Sequence, residues 1–130
     1  MSASPYILVV DDNLDNLYVL THVLERNGYT VLGVKDGPAA LHAIAEARPA
    51  LILLDIRLPG FSGYQVVSVL RERYGPAVPP VIAVTAHAMP GDREAALAAG
   101  CDDYMTKPID LHTLLSRVEQ LLSPDTAIGN

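Results

Sequence analysis

A single cysteine, Cys101, stands in the 130 residues, so no internal disulfide can staple this chain and its fold must rest on a core of its own. No histidine lies near Cys101 in sequence to activate a thiolate, and it reads as a packed small residue. Positive charge is also scarce. Nine Lys and Arg face fifteen Asp and Glu, for a formal net charge of −6, and the nine are scattered rather than striped. Binding to nucleic acid or to an anionic membrane surface lacks its electrostatic term. No apolar run approaches the roughly 20 residues that a bilayer span needs. Residues 1–5 have neither a basic leader nor an apolar signal core. These absences point to a cytoplasmic protein with no nucleic-acid and no membrane partner.

Half of the residues are apolar, and the length suits one compact domain. A single domain over residues 1–130 is therefore expected, with a core of about 6–122 and a frayed tail at 123–130. Short apolar runs alternate five times with segments of helical period, the rhythm of βα units that build a parallel sheet. The expected strands are Tyr6 to Val10, Thr30 to Val34, Leu51 to Leu54, Val81 to Thr85 and Asp103 to Met105. Leu51 to Leu54 is apolar throughout, as suits a central strand covered by helices on both faces. The expected helices run from Leu14 to Asn27, Ala39 to Ala47, Gly63 to Tyr74, up to Gly100, and from Asp110 onward.

Polar residues stand at or just past the ends of these strands: Asp11 and Asp12 after the first, Asp55 after the third, Thr85 closing the fourth, and Lys107 after the fifth. Each taken alone is an ordinary loop, cap or surface residue. Their joint placement is not ordinary, because the C-terminal edge of an open parallel sheet is where such folds bind ligands. Two like charges 4 Å apart repel by about 4 kcal/mol at an effective dielectric of 20, so three carboxylates with one lysine need a further partner. Either one carboxylate holds a proton, or a hard divalent cation sits among the oxygens. The all-oxygen set favours Mg²⁺, allows Mn²⁺ as a substitute, and disfavours zinc and copper.

A carboxylate beside a divalent ion, a hydroxyl and an ammonium suits the acceptance of a phosphoryl group. Asp55, alone at the centre of the sheet, is the expected nucleophile, with Thr85 and Lys107 contacting phosphoryl oxygens and Asp11 and Asp12 holding metal. An EF-hand reading of Asp11, Asn13 and Asp15 fails, since Asn16 takes the glycine position and His22 the place of the bidentate Glu. A phosphatase of the haloacid-dehalogenase type would want an Asp two residues after its nucleophile, where Asn13 or Arg57 stands.

At these residues the chain resembles the receiver domain of two-component response regulators. The acidic pair, the acceptor Asp, the Thr and the Lys-Pro dipeptide occur in order as Asp11-Asp12, Asp55, Thr85 and Lys107-Pro108, and the likeness spans about Tyr6 to Leu122. The resemblance implies a doubly wound, flavodoxin-like α/β fold with strand order 2-1-3-4-5. It implies that Asp12 and Asp55 bind Mg²⁺ directly, that Asp11 helps through water, and that the main-chain carbonyl of Arg57 is the remaining protein ligand. It implies transfer from a phosphohistidine on a sensor histidine kinase or a phosphotransfer protein, then slow self-catalysed hydrolysis rather than turnover of outside substrates. It also implies a cis bond before Pro108, a switch role for Tyr104, and tuning of phosphate lifetime by Arg57 and His87. His22, His42 and His112 fall within helices and read as surface or packing residues.

The stretch Thr85-Ala86-His87-Ala88-Met89, and Asp12-Asn13 with Asn16, look most like stand-alone receivers and those of hybrid kinases. With no output domain following, the downstream target is expected to be a protein. The alternatives are a receiver excised from a hybrid kinase, or a pseudo-receiver that only binds protein partners.

Overall fold

The middle strands are apolar up to their C-terminal residues because both of their faces are covered. In the computed structural model, which describes residues 6–86 and 89–122, β1 (Ile7–Val10), β3 (Leu51–Asp55) and β4 (Val81–Thr85) are buried at each residue. The edge strands β2 (Val31–Val34) and β5 (Asp103–Thr106) are only partly buried. The five strands are all parallel, in the order β2-β1-β3-β4-β5.

Alternation along each strand splits the core into two layers. Leu8, Val10, Ile52, Leu54, Val81 and Ala83 face α2 (Gly37–Glu46), α3 (Gly63–Tyr74) and α4 (Asp92–Ala99), which contribute Ala40, Ile44, Val66, Val67, Leu70 and Ala96. Ile7, Val9, Leu51, Leu53, Ile82 and Val84 face α1 (Leu14–Arg26) and α5 (Leu111–Leu122), which contribute Leu20, Leu24, Leu114 and Val118. Each fully buried aliphatic side chain is worth roughly 1.5–3 kcal/mol relative to exposure, so a one-residue slip of a central strand would exchange the two layers at great cost.

Local signals set the helix starts. The Asn13 side chain accepts the Asn16 N–H at 3.0 Å, Asp36 accepts that of Ala39 at 2.8 Å, and Ser62 and Gln65 form a reciprocal capping box. Because Asp36 is the cap, α2 begins at Gly37, two residues before the Ala39 expected from the sequence, with Pro38 in its first turn. The first helix stops at Arg26 with Asn27 as its cap, and Gly28 follows in the left-handed region at φ 93°. No helix among the described residues is long and apolar enough to cross a membrane. Residues 123–130, expected to fray, lie outside the described residues.

Candidate functional site

Register does the first work of assembling the site. Val10 pairs with Leu54 and Asp55 with Val84, so Asp11, Asp55 and Thr85 lie at adjoining strand tips. Thr85 pairs with Thr106, which brings Lys107 to the same edge. The buried polar side chains among the described residues are Asp11, Asp55, Thr85 and Asp103. Asp103 is explained by its ion pair with Arg117 of α5. The other three meet at the C-terminal edge.

There, one carboxylate oxygen from each of Asp11, Asp12 and Asp55 lies within 4.8 Å of the others. Asp11 and Asp55 are 2 % and 5 % exposed, whereas Asp12 opens to solvent. The Lys107 ammonium bridges the buried pair, 2.9 Å from Asp11 Oδ2 and 3.1 Å from Asp55 Oδ2. Burial by itself would lower the Lys107 pKa, but the hydrogen bonds and charges of Asp11 and Asp55 outweigh it and hold the amine above its ordinary value. Main-chain donors fix the other oxygens: Asn13 N–H donates to Asp11 Oδ1 at 2.9 Å, and Arg57 N–H to Asp55 Oδ1 at 2.8 Å. Each carboxylate is thereby held by a turn two residues long.

Three carboxylates against one ammonium leave two negative charges in a small space, all on hard oxygen donors. That donor set fits a divalent cation of the Mg²⁺ class, with the exposed Asp12 leaving room for ordered waters.

Beside this cluster a cavity of about 270 Å³ is lined by Arg57, Leu58, Tyr64, Thr85, Asp92 and Tyr104, among others. Thr85 is 2 % exposed. The Tyr104 hydroxyl is buried and lacks a hydrogen-bond partner among the described residues. The Lys107–Pro108 peptide is cis, as expected. The Arg57 side chain is exposed. His87, expected to tune phosphate lifetime, lies outside the described residues. His22, His42 and His112 sit on exposed helix faces, His22 stacked on Tyr18 and His42 3.8 Å from Glu46.

Cys101 is packed in the core, where burial first and Asp102 second push its thiol up to about 11. Against an ordinary value of 9.0, its thiolate fraction at pH 8 is depressed roughly a hundredfold. A disulfide reagent should therefore label the native chain at least about a hundredfold more slowly than the urea-unfolded chain. Equal rates would show that the thiol is open.

Sequence reasoning missed that Lys107 bridges both buried carboxylates, and missed the packing behind the loop after β3. Phe61 of that loop lies on Gly37 at the start of α2, so close that a Cβ there would sit 2.2 Å from the ring. A Cβ on Gly63 would sit 2.7 Å from the Asp55 carbonyl oxygen. The only signal in the sequence is that glycine occupies the first position of each helix.

The fold and this acidic edge together define a receiver, and comparison with known proteins agrees. Residues 7–119 match the family of the response regulator receiver domain, and the chain belongs to that family. It is 43% identical over 112 residues to the sensor histidine kinase GacS of Pseudomonas protegens, covering 83% of this chain and 12% of that protein. It is 37% identical over 116 residues to the polar-differentiation response regulator DivK of Brucella anthropi, covering 89% of this chain and 94% of DivK. The chain thus spans a small part of the kinase and nearly all of that response regulator. Among solved structures, the receiver domain of the sensor histidine kinase PA1611 from Pseudomonas aeruginosa superposes with a TM-score of 0.82 at 37% identity, covering 92% of this chain and 98% of that one. That structure has a magnesium ion coordinated in its active site cleft.

Proposed function

We propose that this receiver accepts a phosphoryl group on Asp55 from a phosphohistidine of a sensor kinase or phosphotransfer protein. A carboxylate oxygen attacks phosphorus, the bond from phosphorus to the histidine nitrogen breaks, and the imidazole leaves with the electron pair of that bond. The observation that carries the reading is the joint placement of Asp11, Asp12, Asp55 and Lys107 at one sheet edge with two negative charges unbalanced. Asp11, Asp12, Asp55 and the Arg57 main-chain carbonyl would hold Mg²⁺, or Mn²⁺ in its place. When bound, the ion supplies positive charge to the acidic cluster and to the oxygens of the incoming group.

Lys107, already charged and facing Asp55, forms an ion pair with one phosphoryl oxygen, and the Thr85 hydroxyl donates to another. Drawing Thr85 toward the phosphoryl group opens the cavity behind it, and the Tyr104 hydroxyl, without a partner among the described residues, gives that side chain reason to turn. The surface formed by α4, β5 and α5 then changes for a downstream protein. Arg57 and His87 set the phosphate lifetime. Leu14, Tyr18 and Val19 expose apolar surface on the helix that follows the acidic pair, which suits docking of the partner that carries the phosphohistidine. The chain works as one receiver unit in the cytoplasm, and the likeness to both GacS and DivK supports the same chemistry in a hybrid kinase and in a stand-alone regulator.

The test is incubation with Mg²⁺ and a small phosphodonor such as acetyl phosphate, read by intact mass. A gain of one phosphoryl group, lost when a chelator replaces Mg²⁺, is expected. No gain under any divalent ion would mark the chain as a pseudo-receiver that only binds partners.

A further inference from the structure

The two walls of the acidic site come from segments far apart in sequence, and each wall is tied to the turn between β2 and α2. On one side, Asp11 N–H donates to the Val34 carbonyl at 3.1 Å, two residues before the Asp36 cap of α2. On the other, residues 56–62 leave the sheet carrying the Arg57 carbonyl. Near Asp55 this loop is held by Ile56 N–H on the Val84 carbonyl at 2.9 Å and by Gly63 N–H on the Ile56 carbonyl at 2.9 Å. Its outer half has left the sheet. What meets α2 is the Phe61 ring, seated on Gly37.

Gly37 is not demanded by its backbone, for it is absent from the glycines at positive φ. It is demanded by proximity, since a Cβ would lie 2.2 Å from Phe61 Cδ2 and 3.1 Å from Cγ. The ring therefore rests on the first residue of a helix whose preceding strand anchors Asp11. Mg²⁺ requires near-octahedral ligands at roughly 2.0–2.1 Å, whereas Ca²⁺ tolerates looser shells at roughly 2.3–2.6 Å. Shifts of a few tenths of an ångström between the walls matter to the first ion far more than to the second.

We propose that Phe61, seated on Gly37, is a positioning residue for the divalent-ion site, holding the Arg57 loop and the acidic pair at the separation that Mg²⁺ requires. The proposal rests on the reading of this cluster as a Mg²⁺ site. Titration of the full chain with Mg²⁺ alone and with Ca²⁺ alone, by calorimetry, tests it. Gly37→Ala, which must displace the ring, and Phe61→Ala, which removes it, should each weaken Mg²⁺ binding about tenfold and Ca²⁺ binding much less. The Gly37→Ala, Phe61→Ala double variant should be no weaker than either single one, because both act through the same contact. Phe61→Leu should restore most of the Mg²⁺ affinity.

Melting in chelator separates this role from packing. Variants that melt lower but bind Mg²⁺ as the parent does, or that lose Mg²⁺ and Ca²⁺ affinity in equal measure, overturn the proposal. If Phe61→Ala does not fold, Gly37→Ala and Phe61→Leu carry the comparison. A parent chain that binds no Mg²⁺ would instead overturn the reading of the site itself.

Discussion

Asp55→Asn is expected to abolish phosphorylation, leaving the mass unchanged after incubation with Mg²⁺ and acetyl phosphate under conditions that modify the parent fully. The amide keeps the size and hydrogen-bonding shape of the side chain but offers no anionic oxygen to attack phosphorus. The change should leave the sheet intact, since Asp55 sits at the end of β3 and its main-chain pairing with β4 is unaffected. It also removes one of three converging negative charges, so Mg²⁺ binding should weaken while stability in chelator stays equal or rises. A phosphoryl group still gained by Asp55→Asn would place the acceptor elsewhere, with Asp11 and Asp12 the first positions to examine.

Lys107→Met should have effects of opposite sign on binding and on reaction. Its ammonium stands 2.9 and 3.1 Å from the two buried carboxylates, and methionine keeps much of the length without the charge. Breaking a buried ion pair costs roughly 3–5 kcal/mol; because this site opens to water at Asp12, about 3 kcal/mol or less is expected in chelator. Mg²⁺ should bind more tightly, because even in bulk water a unit charge about 4 Å from a divalent ion is worth roughly 2 kcal/mol, or at least about tenfold. Phosphoryl transfer should nonetheless fall about a hundredfold, as it does when one oxyanion donor is lost. A Mg²⁺ affinity that falls together with stability would show that Lys107 holds structure rather than balancing charge.

The pH course of this difference follows from the direction of the lysine shift. A base held above its ordinary value of 10.5 contributes stability that is fully present below that value and is lost only as pH rises through the raised one. The contribution of Lys107 ionisation to the gap between parent and Lys107→Met should thus be constant from neutral pH to about pH 9, shrink as pH passes the ordinary lysine value, and be gone once pH exceeds the raised one. Urea melts across that range measure it.

Much of the architecture was legible in one dimension because helices and strands bury apolar side chains at different periods. Gly63–Tyr74 and Val81–Thr85 have the bounds the sequence implies, each with a clear stop signal beside it. The start of α2 was misplaced because Asp36-Gly37-Pro38 reads as a turn, and only the bond from Ala39 N–H to the Asp36 carboxylate makes it a helix cap. The strand-end positions of Asp11, Asp12, Asp55 and Lys107 were legible too, since polar residues that end apolar runs stand out. Their distances were not.

The sequence by itself determined the five βα units, the two-sided burial of the middle strands and the acidic character of one sheet edge, because these follow from the order of apolar and polar residues along the chain. Tertiary structure alone decided that Lys107 bridges Asp11 and Asp55, that Asp12 is the carboxylate left open to water, and that Phe61 rests on Gly37. Those contacts join residues from 24 to 96 positions apart, and they exist only once strand register and helix packing have set which side chains can reach one another.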